Sequence, residues 1–527
     1  MDSAYQSLIT LFAVWIGLLS IHLVVTQALI YLFQIKEYRF DRFFSQLREE
    51  GMGFFTHSLG RRGALSKRNI LISIISFILF IWLISISYIL LLLALFSYDA
   101  APLCNNSAAT LLFCTGDGGY LAAAIIVGAL LVLGIICTLY SLICTIIGVL
   151  VTWPVAYLMR KSSIEQAKMR LANHPVETIV VSGTYGKSSV KEFLSQMIAI
   201  KHRIGKTEKN MNTAVGIALS ILKNLRDDTE YFVGEVGGYK RGEVAEACAV
   251  LGDSIDCAVI TSFGNQHLSL YKNRSNLIHT ESEVLDYLND PSSVLYIQLD
   301  AHLEPVFQNE IQTRASCRMI TYSASAQADI QAHSALTTHQ GSQATVTYGD
   351  RRIHIKTHLL GIHSIENLLP VIGWCVDHGY TNHEIEEGIA KIPAIEGKLS
   401  IHRGIGGSIV LNDSSNSSEN GFLSALATLA LFPQSQKVVI GSGIIELGSE
   451  KEAAYKRITQ SLNDVSIAYI THDRLFKKYD TKDLIYIVGK EQTIMSILAE
   501  YDLKDTIILL EGRQPKKRLQ SIIIGDK

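Results

Sequence analysis

The chain has little charge and no dominant sign of it. Charged residues make up 18% of its 527 positions, and the formal net charge is −2. Nucleic-acid binding calls for a basic surplus, so that class of partner is excluded. The eight cysteines include no Cys-x-x-Cys pair and no paired Cys/His cluster, which excludes the usual thiolate metal sites. There is no internal repeat and no low-complexity segment. Residues 97–120 contain no Lys or Arg, and the apolar runs on either side, about 70–96 and 121–153, contain no charge at all. A third run, about 8–33, has no basic segment before it and no small-x-small cleavage site after it, which excludes a cleaved signal peptide.

What is present begins with those three runs. Each reaches the roughly 20 residues needed to cross a bilayer, and the mean hydropathy of the chain is positive. The segment between the first two carries Lys36, Arg39, Arg42, Arg48, Arg61, Arg62, Lys67 and Arg68, and Arg160 and Lys161 follow the third. Basic flanks stay in the cytoplasm. The expectation is therefore a multi-pass protein of the cytoplasmic membrane, with its N-terminus outside and its globular part inside, where ATP is found. The bilayer is the first expected partner. The basic loop also holds Phe40, Phe43, Phe44, Phe54 and Phe55. It could lie on an anionic leaflet or serve only to set topology. Cys104 and Cys114 share the external loop and could pair. Cys248, Cys257, Cys317 and Cys375 are expected as buried cytoplasmic thiols.

The length suggests two to four domains. Residues 1–155 form the expected three-helix transmembrane region. Residues 156–395 read as a central α/β domain with a mainly parallel sheet, its short buried strands at 178–182, 231–234, 257–262 and 293–298 alternating with helices. Within it, alternating runs at about 326–360 predict a small antiparallel sheet. Residues 396–527 read as a second, Rossmann-like α/β domain, whose regular strand–helix alternation starts after about Pro433.

The most informative stretch is Gly183-Thr-Tyr-Gly-Lys-Ser-Ser189, set between an apolar strand and a helix. Small residues at such a turn let backbone N–H groups converge on an anion, and the helix dipole adds positive potential. Gly183, Thr184, Gly186, Lys187, Ser188 and Ser189 are thus the expected nucleotide-binding residues. Lys187 would reach the outer phosphates, and Ser188 would hold Mg²⁺. A full Gly-x₄-Gly-Lys-Ser loop would have glycine at 181, where Val181 stands. Glu235, His267 and Asp413 each follow an apolar strand, at the edge where open α/β sheets place their sites. A carboxylate and an imidazole beside a Gly-Lys-Ser loop suit a Mg²⁺–nucleotide site.

Together these segments resemble the Mur ligase family, the ATP-dependent amide ligases of peptidoglycan synthesis, over about residues 175–520. The resemblance is carried by the nucleotide loop, Asn210-Met-Asn-Thr213, Glu235-Val-Gly-Gly238 with Arg241-Gly-Glu243, Ile260–Leu268, Gly361-Ile-His-Ser-Ile-Glu-Asn367, Gly397-Lys-Leu399, Asn412-Asp-Ser-Ser-Asn416 and Glu446-Leu-Gly448. The branch that adds D-alanyl-D-alanine to a UDP-linked muramoyl tripeptide is the most similar. The resemblance implies Mg²⁺ on Ser188, Glu235 and His267, with Asn367 near the adenine, Lys398 on the phosphates and Asp413 on the ribose. It implies catalysis through Lys187, Glu235, His267 and Glu281. Glu281 stands where the family has a carbon-dioxide-modified lysine and would present a carboxylate without modification. Lys398 stands where arginine is usual, and Ser415 and Glu419 replace the usual Tyr and Pro. The family's UDP-gripping N-terminal domain has no counterpart, and the membrane region stands in its place.

The implied activity is a carboxylate–amine ligation driven by ATP with Mg²⁺ through an acyl phosphate. The implied substrate is a small-molecule or lipid-linked cell-wall precursor, with other membrane-bound wall or polymer synthesis proteins as further partners. Two alternatives stay open: a ligase for another polymer such as poly-γ-glutamate, and a nucleotide-binding scaffold with degraded activity.

Overall fold

The computed structural model describes residues 2–35, 38–40, 42–44, 66–97, 116–253, 255–264, 268–314, 316–415, 418–444, 451–488 and 491–524. His267, Asn416, the Glu446-Leu-Gly448 segment, the Cys104–Cys114 pair and most of the basic loop lie outside the described residues. The chain divides into two compact units, Met1–Lys161 and Ser162–Lys527.

In the first unit the apolar runs form helices α1 (Asp2–Ile35), α2 (Lys67–Ser97) and α3 (Gly116–Asn173). Three stretches among them, Ala13–Gln34, Lys67–Ile86 and Val132–Asn173, are long and apolar enough to cross a membrane. Helix α3 runs through Pro154 without a break. Leu29, Phe33, Ile72 and Val149 pack the three helices together. A polar layer sits beside that contact. His22 Nδ1 meets Ser141 Oγ at 2.9 Å, and Ser76 Oγ meets Thr145 Oγ1 at 3.4 Å. Such interhelical hydrogen bonds fix register where apolar packing alone is slippery.

The second unit is built on two sheets. The larger has nine strands in the order β2-β3-β1-β4-β5-β6-β7-β8-β9. They are β1 (Glu177–Ser182), β2 (Ile204–Lys206), β3 (Tyr231–Glu235), β4 (Cys257–Ile260), β5 (Val294–Gln298), β6 (Arg318–Ser323), β7 (Ile330–Thr338), β8 (Gly341–Tyr348) and β9 (Arg351–Thr357). The first seven in that order pair in parallel, and the last two pairings are antiparallel. The apolar run of β1 is continuous because both faces of the sheet are covered. Ile179 and Val181 pack with Val190 and Phe193 of α4 (Lys187–Ile198) on one face. Val180 packs on the other with Ile217 of α5 (Ala214–Asn224) and Ala247 of α6 (Glu243–Leu251). Helix α7 (Arg274–Glu281) adds Leu277 to that second face. Helix α8 (Ile362–Asp377) contributes Ile365, Leu369 and Ile372 to the first.

Residues 326–360 are not a separate small sheet. Strands β7–β9 extend the parallel sheet, through just two Cα pairs, Tyr322↔Ile330 and Ser323↔Gln331. The alternation along these strands reports one buried face, and that pattern is the same whether a hairpin stands alone or continues a sheet.

The smaller sheet has the order β10-β11-β15-β12-β13-β14. Strand β10 (Ser400–Arg403) runs antiparallel to β11 (Ile409–Asp413). The parallel set continues with β12 (Gln436–Gly441), β13 (Ala468–Thr471), β14 (Ile485–Ile487) and β15 (Thr506–Glu511). The sheet thus begins about 30 residues before the regular alternation that marks it in the sequence, because β10 and β11 are joined by a single short 3-10 turn (Ile405–Gly407) rather than by an α-helix. Leu411, Val439 and Leu509 face one cluster, and Val410, Val438 and Ile508 the other.

Candidate active site

The loop 183–186 leaves β1 at the point where strand order reverses, with β3 on one side and β4 on the other. Crevices at such points receive ligands. Gly183 (φ +111°) and Gly186 (φ +85°) take backbone conformations that a side chain would strain. There is no room for one either. A Cβ on Gly183 would meet Thr261 Oγ1 at 2.5 Å, and one on Gly186 would meet Asn367 Oδ1 at 2.3 Å. Gly186 is the N-cap of α4, and no side chain caps that helix. Its first turn is thus dressed for an anion.

The loop is tied on two sides. Thr184 N donates to Ser262 O (2.7 Å) and Tyr185 N to Ser262 Oγ (3.2 Å). From α7, Glu281 accepts from Ser182 Oγ (2.6 Å) and Gly183 N (3.0 Å) through one carboxylate oxygen. Its neighbour Glu283 accepts from Gly242 N (2.6 Å) and Ala245 N (3.0 Å) at the start of α6. The structure therefore places Glu281 as an anchor of the nucleotide loop.

Lys187, on the first turn of α4, points its ammonium back to the carbonyls of Gly183 and Thr184. Gly237, just past the end of β3, lies close under Asn212, whose Nδ2 would stand 3.1 Å from a Cβ there, with Lys187 Cε at 3.7 Å. Glu235 is 2% exposed. Its Oε1 accepts from Asn212 Nδ2 (3.3 Å), while its Oε2 is buried without a hydrogen-bond partner. Thr184 Oγ1 is buried and unpartnered as well. Lys191, one turn beyond Lys187, places its ammonium 3.4 Å from Glu235 Oε2. Lys398 reaches Ser189 Oγ at 3.4 Å and feels Glu235, Lys191, Asp413 and Lys187. Burial is the main cause that draws the Lys398 ammonium below its usual range.

Oxygen donors suit Mg²⁺, which keeps several waters and phosphate oxygens for itself. Glu235 Oε2, which accepts no hydrogen bond, and the Ser188 hydroxyl on the first turn of α4 are oxygen donors of the kind such an ion takes. Among the described residues no group of three or more His, Cys, Asp or Glu forms a metal cluster.

At the C-terminal edge of the smaller sheet, Asp413 and Glu511 are paired in register on β11 and β15. Glu511 is 1% exposed, and no N–H or ordinary hydroxyl reaches either of its oxygens. Its neighbour on the paired strand is the Asp413 carboxyl, and two carboxyls brought together in a buried place disfavour a second negative charge. Burial pushes Asp413 up to about 6 and Glu511 well above the ordinary carboxylate range.

Lys187, Ser188, Ser189, Glu235, Asn367 and Lys398 therefore converge on the loop, with Asp413 linked to them through the charge of Lys398. Sequence reasoning missed Lys191, Asn212 and Glu511. Lys191 lies four residues after Lys187, so helical spacing already puts the two on one face. Glu511 follows a run of apolar strand residues, the same strand-end position that singled out Glu235 and Asp413.

A cavity of about 200 Å³ opens beside the loop, lined by Tyr185, Ser262, Gln298, Asp300 and Asn420 among others.

Fold and site define an α/β protein with an anion-receiving loop at the switch point of its larger sheet. Residues 181–375 match the Mur ligase middle domain. The chain is 23% identical over 368 residues to the UDP-N-acetylmuramoyl-tripeptide–D-alanyl-D-alanine ligase of Bacillus subtilis, covering 68% of this chain and 77% of that one. Among solved structures it is similar to the MurF ligase from Thermotoga maritima in complex with ADP (TM-score 0.60, 20% identity, 69% of this chain and 83% of that one). It is also similar to the Mycobacterium tuberculosis folylpolyglutamate synthase complexed with ADP and AMPPCP (TM-score 0.54, 15% identity, 69% and 95%). Residues 181–375 are thus a Mur ligase middle domain, and the chain is an ATP-dependent amide ligase of the Mur type.

Proposed function

We propose that this ligase is anchored in the cytoplasmic membrane and extends the peptide of a peptidoglycan precursor through an acyl phosphate. The observation that carries the proposal is the buried Glu235, whose Oε2 accepts no hydrogen bond, at the end of the strand beside the Gly-Lys-Ser loop of a Mur ligase middle domain. In the first step a substrate carboxylate oxygen bonds to the γ-phosphorus of ATP and ADP leaves. In the second, an amine nitrogen bonds to the acyl carbon, phosphate leaves with the C–O bond electrons, and the nitrogen gives up a proton. Ser188 and Glu235 would hold Mg²⁺, which would supply charge neutralisation at the phosphates. His267 is the further ligand the family resemblance assigns.

The chain's own part is positioning and electrostatics. The loop N–H groups and the α4 N-terminus cradle the phosphates. Lys187 leaves its carbonyl contacts to meet the transferred group. Lys398 brings a second ammonium from the smaller domain, Asn367 lies against Gly186 toward the base, and Asp413 faces the ribose. Glu281 holds the loop in place, so its catalytic role is that of a positioning residue. The three apolar helices support membrane anchoring with a cytoplasmic catalytic part, within reach of lipid-linked precursors and other membrane-bound wall or polymer synthesis proteins.

A second product class, another γ-linked polymer, is favoured by one finding. The folylpolyglutamate synthase is matched over 95% of its length. The test is ATP-dependent phosphate release by detergent-purified protein with Mg²⁺, UDP-muramoyl tripeptide and D-alanyl-D-alanine. Release is expected to need both substrates and to fall about 10²–10³-fold or more in Lys187→Ala. Release with a glutamate polymer instead would move the substrate to the second class. ATP binding without release on any acceptor would sink both.

A further inference from the structure

Lys191 is fully buried, and it is not part of the nucleotide loop. A buried ammonium is costly unless it is paired and bonded. One of its three N–H groups donates to Lys209 O at 2.6 Å. Its Nζ also lies 3.4 Å from Glu235 Oε2 and 3.4 Å from Glu192 Oε1. Glu192 is in addition paired with Lys206. Lys191 is therefore the cation in ion-pair contact with Glu235, while Lys187 bonds to loop carbonyls and Lys398, which feels Glu235 from farther off, bonds to the Ser189 hydroxyl.

The arrangement has a consequence for metal entry. Glu235 Oε2 is buried and accepts no hydrogen bond, which leaves it a lone pair for a divalent ion, yet a fixed ammonium stands 3.4 Å away. An ion arriving alone would sit beside a like charge that cannot leave. An ion arriving with a triphosphate brings compensating negative charge with it. Resting on the nucleotide-site proposal above, we infer that Lys191 is a positioning and specificity residue that holds Glu235 and bars free divalent cations, so that metal enters only with nucleotide.

The test is Mn²⁺ titration of the full chain in detergent, with free Mn²⁺ read by electron paramagnetic resonance, without nucleotide and with ADP. The wild type is expected to take up Mn²⁺ at this site only when ADP is present. Lys191→Met is expected to bind Mn²⁺ without nucleotide about tenfold or more tightly than the wild type, in the range usual for coupled sites. The added Glu235→Gln change should remove that gain, and Lys191→Arg should behave as the wild type. A merely structural lysine would lose function on substitution; it would not gain a metal site. A folded Lys191→Met protein with no gain overturns the inference. So does nucleotide-free uptake by the wild type that Glu235→Gln abolishes, an arm that decides the matter even if Lys191→Met does not fold. In either case normal ADP binding leaves the nucleotide-site proposal standing, whereas a wild type that binds no nucleotide overturns both.

Discussion

Both sheets of the catalytic unit bury carboxyls at their strand ends, and they compensate them in different ways. Beside the larger sheet the buried carboxyls of Glu235, Glu281 and Glu283 each meet a cation or a donor. Glu235 has Lys191 and Asn212, Glu281 has Ser182 and Gly183 N–H, and Glu283 has two backbone N–H groups. At the edge of the smaller sheet Glu511 has only the carboxyl of Asp413. The first edge answers its carboxyls with donors and a cation. The second answers Glu511 with another carboxyl, and burial raises both groups above the ordinary carboxylate range. Burial alone does not decide a carboxyl's state; the donors around it do.

The comparison can be broken by substitution at each edge. The largest effect is expected from Glu235→Gln, which leaves the ammonium of Lys191 buried beside a neutral partner. Breaking a buried ion pair from one side costs about 3 kcal/mol or more. Chemical denaturation of the detergent-solubilised protein would measure it, and an unchanged midpoint would mean that Glu192 and Lys209 O suffice for Lys191. Next comes Glu281→Ala, which strips the acceptor from Ser182 Oγ and Gly183 N at once. Each buried donor left unmade costs about 1–3 kcal/mol. Because the loop itself is loosened, nucleotide affinity should fall along with stability. Installing Glu281→Lys should not restore affinity, since an ammonium cannot accept either bond. Affinity retained in either variant would remove Glu281 from the loop's support.

Much of this site can be read in the sequence, and the gaps have physical causes. The strand–loop–helix at 177–198 is local: an apolar strand, two glycines and a helix start specify it without help from elsewhere. Glu235 and Asp413 announce themselves as polar residues at the end of apolar strands. Lys191 does not, because a lysine on an amphipathic helix reads as solvent-facing, and only the long-range approach of β3 and residues 207–212 buries it. The role of Glu281 is hidden for a similar reason. Its position beside a motif suggests metal chemistry, but the fold brings α7 against the loop across about a hundred positions, and that contact has no local signature. The continuation of the large sheet into β7–β9 rests on two residue pairs, too few to leave a pattern.

The smallest effect is the sharpest test of the comparison, because its sign is opposite. Glu511 in the folded protein holds a proton that the unfolded chain releases above about pH 4. The folded state then binds more protons than the unfolded one, so stability must fall as pH rises from that point, and for Asp413 the fall continues through about 6. Glu511→Gln keeps a donor toward Asp413 and removes the ionisation. It should therefore stabilise the protein at pH 8 by about 1–3 kcal/mol, the cost of a poorly partnered buried polar group, and by much less at pH 5. Melting curves of wild type and variant at the two pH values would show the gap opening with pH. A variant destabilised equally at both would mean that Glu511 is ionised and carries a cation, and the two edges would then be built on one plan.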